Sequence, residues 1–170
     1  MFTIKKITQH YDPEQDRIAQ TVQNTEGQVL LLWLTQRLAV RLVGTMASWL
    51  DEDVKASASL QSLFTLHAWE QSSAEARLPS DQPVDRAAAQ GEALVDTVDL
   101  ARSPNGYILT FKWRPAGAAR LTLMATELRQ WLGILHRLFD TAEWPKHVWP
   151  DWFTESQKSG TSTTTHRVLH

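Results

Sequence analysis

The sequence predicts an α+β fold: an antiparallel β-sandwich or sheet of six to seven strands, with an inserted helix pair and a C-terminal helix. Three observations carry this. A strand, a threonine and a helix follow one another twice, first as Gln28–Leu34, Thr35 and Gln36–Glu52, then as Ala119–Ala125, Thr126 and Glu127–Thr141. Turn signals at Asn24–Gly27 and Ser103–Gly106 place hairpins before each unit. Between the halves, Ser72–Gly91 shifts to Ser, Ala, Pro, Asp and Gln, including Leu78-Pro79-Ser80-Asp81-Gln82-Pro83, and is expected to be a flexible connector.

The elements follow in order. Phe2–Thr8 alternates polar and apolar residues until Asp12-Pro13-Glu14 breaks the run. Arg17–Gln23 puts Ile18 and Val22 on one face of a strand bracketed by turns, and Gly27 supplies the positive φ that a tight turn needs. Thr35 is a natural N-cap, because its hydroxyl accepts from a free amide of the first helical turn. Within Gln36–Glu52, the residues Leu38, Leu42, Met46, Trp49 and Leu50 form a helical stripe to face a sheet. Asp51-Glu52-Asp53 then puts negative charge where the helix dipole disfavours it, which predicts an exit from the helix. A second helix is expected over Ser59–Gln71, with Leu60, Leu63, Phe64, His67 and Trp69 in a less regular stripe.

The second half repeats strands at Ala93–Ala101, Tyr107–Trp113 and Ala119–Ala125, separated by Ser103-Pro104-Asn105-Gly106 and Arg114-Pro115-Ala116-Gly117. Tyr107, Leu109, Phe111 and Trp113 share one strand face. Thr126 is expected to cap the last helix, with Glu127 favourable in its first turn. Its stripe is Leu128, Trp131, Leu132, Leu135, Leu138 and Phe139, ended by Trp144-Pro145. A helix of that length is marginal alone and must dock on its own sheet, on a partner, or on both.

The segment Trp144–Phe153 (WPKHVWPDWF) packs three tryptophans, a phenylalanine and two prolines into ten residues. The prolines predict an extended path, and the rings either fold back over their own domain as a lid or enter a partner's groove. Residues 1–141 therefore read as one domain, 142–153 as an aromatic extension, and 154–170, rich in Ser and Thr, as a disordered tail.

Composition excludes several classes. The apolar fraction of 42%, the charged fraction of 21% and a formal net charge of -2 are ordinary for a globular protein and attract neither phosphate nor anionic lipid. With no cysteine there is no disulfide, thiolate metal site or cysteine nucleophile, which suits a reducing, cytoplasmic setting. The apolar run Val29–Leu34 is too short to cross a bilayer, and Met1–His10 has no signal-like apolar stretch behind its charges. Eight tryptophans against two tyrosines point to large buried areas and contact surfaces.

No catalytic, metal or nucleotide motif is present, and neither cofactor nor metal is expected. His166 and His170 have i, i+4 spacing but no carboxylate between them. His67 and His136 read as helix histidines, and Asp96 and Asp99 as solvent-face residues of a strand. Lys112, Arg114, Arg120 and Arg129 read first as edge charge that discourages aggregation, and second as a basic rim for nucleic acid.

The hairpin Thr25-Glu26-Gly27, Thr35 opening the inserted helices, the hairpin Pro104-Asn105-Gly106 and Thr126 opening the last helix give an order of elements over residues 1–141. That order resembles the globular head domain of the end-joining DNA-repair scaffolds and the centriolar cartwheel protein. The resemblance implies a small β-sandwich interrupted by a helical pair, and a non-enzymatic homodimerising scaffold with the last helix as its seam. Here the stalk covers about two heptads before Pro145, too few for a long coiled coil.

The resulting expectation is a non-enzymatic interaction or assembly module that pairs with itself and with another protein, not with nucleic acid or membrane. Its contact surface is expected at Leu128, Trp131, Leu135, Leu138, Trp144, Trp149 and Trp152. The alternative is a small-ligand binder or enzyme with a pocket between the sheet and the second helix, using His67 or Trp69. A weak nucleic-acid binder ranks third.

Overall fold

The structure, a computed structural model, describes residues 1–55, 63–79 and 82–154. Three strands come first: β1 (Phe2–Asp12), β2 (Arg17–Asn24) and β3 (Val29–Thr35). Two helices follow, α1 (Gln36–Lys55) and α2 (Leu63–Ala76). Then come β4 (Glu92–Leu94), β5 (Thr97–Ser103), β6 (Gly106–Trp113) and β7 (Gly117–Leu123), and finally α3 (Ala125–Thr141). The positions 59–62 of the expected second helix, the presumed tail beyond Thr154, and with it His166 and His170, lie outside the described residues.

The seven strands form one sheet in the order β4-β3-β2-β1-β7-β6-β5. The single sheet and its seven strands are within the expected range, but it is mixed and curled like a half-barrel, which corrects the expected sandwich and the purely antiparallel pairing. Two pairings are parallel: β3 with β4, and β1 with β7 through Phe2 and Thr3. The reason lies in two strands that change partners. β1 pairs with β7 at Phe2 and Thr3 and from Ile4 onward with β2 in an antiparallel ladder, whose register shifts between Ile4 and Lys6. The run expected as a single strand, Ala93–Ala101, breaks at Val95-Asp96. There the Val95 amide donates to the Trp33 carbonyl of β3 and the Asp96 amide to the Lys112 carbonyl of β6, each at 3.0 Å. Two residues thus join the opposite ends of the sheet.

The hairpin signals are where the sequence put them. Gly27 (φ 81°) closes β2–β3 and Gly106 (φ 122°) closes β5–β6, conformations open to glycine at little cost. A Cβ at Gly106 would also lie 2.3 Å from the Leu123 carbonyl oxygen. Thr35 caps α1 as expected, its hydroxyl accepting from the Leu38 amide at 3.3 Å. Thr126 does not cap α3. The helix starts one residue earlier, with Met124 at the N-cap and the Glu127 carboxylate accepting from the Met124 amide at 2.8 Å. Glu127 therefore supplies the closing contact without a hydroxyl cap.

Two further expectations are corrected. Residues 72–76 continue α2, and residues 82–91 form a strap on the outer face of β1–β3. In the strap the Val84 amide donates to Thr8 Oγ1 at 2.9 Å, Arg86 pairs with Asp12 at 3.0 Å, and its guanidinium lies 5.0 Å from the Trp33 ring. A backbone amide and the Arg86 side chain hold the strap, so a loop-like composition did not mean a contact-free connector. In the C-terminal segment, residues 151–154 are helical, because Pro150 stands just before the turn, where a missing amide costs nothing.

The main core lies between the sheet, α1, α3 and the C-terminal segment, and a smaller cluster of Ala19, Leu31 and Trp33 packs with Ala89 of the strap. The main core joins Ile18, Val22, Leu32 and Leu34 to Leu109, Phe111 and Leu121, to Leu42, Met46 and Leu50 of α1, and to Leu128, Leu132, Leu135 and Phe139 of α3. Trp144, Trp149, Trp152 and Phe153 belong to the same cluster.

Candidate functional site

The acids expected to end α1 remain helical, and partners from elsewhere offset the unfavourable dipole at this helix end. Arg102 of β5 donates to Glu52 at 2.6 Å and to Asp53 at 3.3 Å, while its guanidinium lies 4.7 Å from the Trp49 ring. The Tyr107 hydroxyl donates to Asp53. Burial, then that bond, pushes the Tyr107 hydroxyl well above its ordinary pKa, so it stays protonated.

Asp51 faces the other way. It accepts from Trp152 Nε1 at 3.1 Å and lies 3.3 Å from His67 Nε2. His67 and Trp152 stack with centroids 4.6 Å apart. Arg129 Nη2 lies 3.3 Å from His67 Nδ1, and an arginine can only donate, so Nδ1 accepts and the imidazole proton sits on Nε2 toward Asp51. Burial, then Arg129, holds the His67 pKa below its usual value. The same arginine pairs with Glu70, and its guanidinium lies 5.4 Å from the Trp152 ring. Gln71 and Gln130 staple α2 to α3 by donating to the Arg129 and Ala74 carbonyls, each at 2.9 Å.

This scaffold holds open a cleft of about 280 Å³. Its walls are Asp53 of α1, Tyr107 of β6, Ala125, Thr126 and Arg129 of α3, Trp69, Glu70 and Ser73 of α2, and Arg77 in the turn that follows α2. The polar groups divide sharply. Glu70 is taken by Arg129, and Asp53 by Tyr107 and Arg102. Arg77 makes no ion pair among the described residues, and the hydroxyls of Ser73 and Thr126 have no described partner. The amides of Ala125 and Thr126 open α3, where intrahelical acceptors are absent. Trp69 stands on the rim, 64% exposed.

The residues expected to form a contact surface lie elsewhere. Leu128, Trp131, Leu135, Trp144, Trp149 and Trp152 are all buried, and Leu138 is half-buried against the same core. The structure brings the seven together, but inside the chain's own fold, so they are no surface here. The physical reason is area: large rings and an apolar stripe in one chain bury against each other before any partner is met. Of the two paths for the aromatic segment, the fold-back is the one observed.

The basic residues are not gathered on one rim. Lys112 pairs with Asp99, and Arg114 lies 3.7 Å from Asp96. Arg120 stands opposite Thr110 and Thr3 in the ladders of β7, while Arg129 is buried between α2 and α3. His136 is buried against Trp149 and Phe153. Of the earlier candidates only Trp69 and Arg129 line the cleft, with His67 just behind it. Asp53, Glu70, Ser73, Arg77, Tyr107 and Thr126 were missed as site residues. They come from four elements with no shared spacing, and the only sequence signal was three consecutive acids at a helix end where acids are costly.

Comparison of the chain with protein-family models, curated proteins and solved structures finds no match.

Proposed function

We propose that the protein is a non-enzymatic recognition module whose working site is the cleft between α1, α2, β6 and the start of α3. The observation that supports this most is the pairing of an exposed Trp69 with unengaged donors around a pre-formed concavity, while Trp131, Trp144, Trp149 and Trp152 serve the core. The acids of the cleft are tied up in ion pairs and Tyr107 is held protonated, an arrangement suited to holding a ligand more than to moving a proton.

The test uses the full chain and three probes of one shape, benzoate, benzamide and benzamidine, titrated by calorimetry. At least one should bind, and Trp69→Ala should weaken that binding about tenfold or more, since an exposed ring in contact with a ligand gives on the order of 1–3 kcal/mol. Binding unchanged by Trp69→Ala, or none by any probe, would reject the cleft as the site.

A second reading keeps the assembly role but moves its seam. Phe64 and Trp69 are exposed on α2, 48% and 64%, whereas the α3 stripe is covered. Homodimerisation through α2 would then replace the seam on the last helix that the resemblance implied. Light scattering decides it, with a dimer for the natural chain and a monomer for Trp69→Glu.

A further inference from the structure

The cleft's unengaged groups share one property. Arg77 is a cation without a described ion pair, Ser73 and Thr126 carry hydroxyls without described partners, and the Ala125 and Thr126 amides point from the positive end of a helix dipole. Each donates a hydrogen bond. The carboxylates of the same walls are already engaged: Glu70 through Oε2 by Arg129, and Asp53 through both oxygens by Tyr107 and Arg102. Glu127 is outside the cleft lining and is turned back on the Met124 amide.

A second feature concerns Arg129. It is 4% exposed, it lines the cleft, and its Nη1 has no hydrogen-bond partner. Glu70 neutralises its charge only in part of its geometry, because the carboxylate engages Nη2 alone. The wall under the first turn of α3 therefore holds a fixed cation with donor capacity left over, in a place where burial weakens screening.

We infer that the cleft binds a small planar anion, a carboxylate or phosphate ester carried on a flat apolar body. This rests on the cleft being the binding site. The acidic head lies between Arg77, the Ser73 and Thr126 hydroxyls and the opening amides of α3. The flat body lies against the exposed indole of Trp69, whose π-face accepts a ring edge-on or stacked. A cleft of about 280 Å³ is at the small end of ligand sites and accommodates one or two rings with a head group. A cation is disfavoured, because both carboxylates of the walls are already paired with cations or a hydroxyl donor and two guanidinium groups line the cleft.

The experiment titrates the full chain with benzoate, phenyl phosphate, inorganic phosphate, benzamide and benzamidine, in the natural form and as Arg77→Ala and Arg77→Lys. Arg77 is exposed, and matching thermal unfolding of the three forms verifies that the fold is kept. Benzoate or phenyl phosphate should bind at least tenfold tighter than benzamide. That preference should vanish in Arg77→Ala and return in part in Arg77→Lys. The tighter of benzoate and phenyl phosphate identifies the head group, and weak binding of inorganic phosphate shows that the ring contributes. Benzamide or benzamidine binding as tightly as the anions would overturn the inference while leaving the cleft as a site. Anion binding untouched by Arg77→Ala would overturn it too, and silence from every probe would overturn both the inference and the site.

Discussion

At the scale of single residues, burial decides chemistry here more than identity does. His10, His67 and His136 all have pKa values lowered, in each case chiefly by burial. Their folded forms refuse a proton that the unfolded chain accepts near the ordinary histidine value of 6.5. Stability is therefore fully present above that value and falls as the pH drops through it toward the lowered folded values, because the unfolded state then binds more protons. His67 should report this most directly, since its Nδ1 accepts from Arg129 and cannot do so once protonated. Urea unfolding at about pH 7.5 and about pH 5 should show a smaller loss on acidification for His67→Gln than for the natural chain. An identical loss in both would mean that His67 does not titrate differently on folding. The helix assignment of His67 was legible from its spacing in the stripe, but its tautomer was not, because that depends on Arg129, 62 positions away.

At the scale of elements, the same side chain does opposite work depending on where its element lies. Trp152 is buried in the C-terminal segment, stacked on His67 and bonded to Asp51 of α1, so it ties that segment to two helices. Trp69 is an exposed ring on α2. Trp152→Ala should cost about 3–5 kcal/mol, a transfer and cavity loss with a donor removed from Asp51. Trp69→Ala should stay within about 0.5 kcal/mol. Urea midpoints with unchanged slope measure both, and equal costs would contradict the placement of the segment. Sequence periodicity gave α1 and α3 nearly whole, because their stripes meet one continuous core. It misjudged the interaction face for the same reason: an apolar stripe looks identical whether it awaits a partner or its own C-terminal segment. Ser72–Gly91 failed differently. Its short polar residues lack periodicity, yet residues 82–91 are pinned across the sheet by contacts such as Val84 to Thr8 and Arg86 to Asp12, which composition does not encode.

At the scale of the whole molecule, the closure of the sheet governs how it should unfold. β1 passes from β7 to β2, and the segment from β4 to β5 passes from β3 to β6 across Val95 and Asp96. Each half of the sheet is therefore linked to the other at both ends. Ile4 near the start and Phe153 near the end of the described chain sit in the same core cluster. Helices α1 and α3 and the C-terminal segment all contribute side chains to that cluster, so local unfolding of the C-terminal segment alone is disfavoured. Alternation and turn signals revealed the strands but not this closure, since the partner changes after Thr3 and at Val95-Asp96 leave no mark in a two-residue period. The consequence is cooperative. Tryptophan emission, dominated by core rings of the C-terminal half, and far-ultraviolet circular dichroism, which follows the helices and sheet, should give one coincident urea transition. An emission shift that precedes the loss of secondary structure would show that the aromatic segment detaches from a still-folded sheet, and that the core is two cooperative units instead of one.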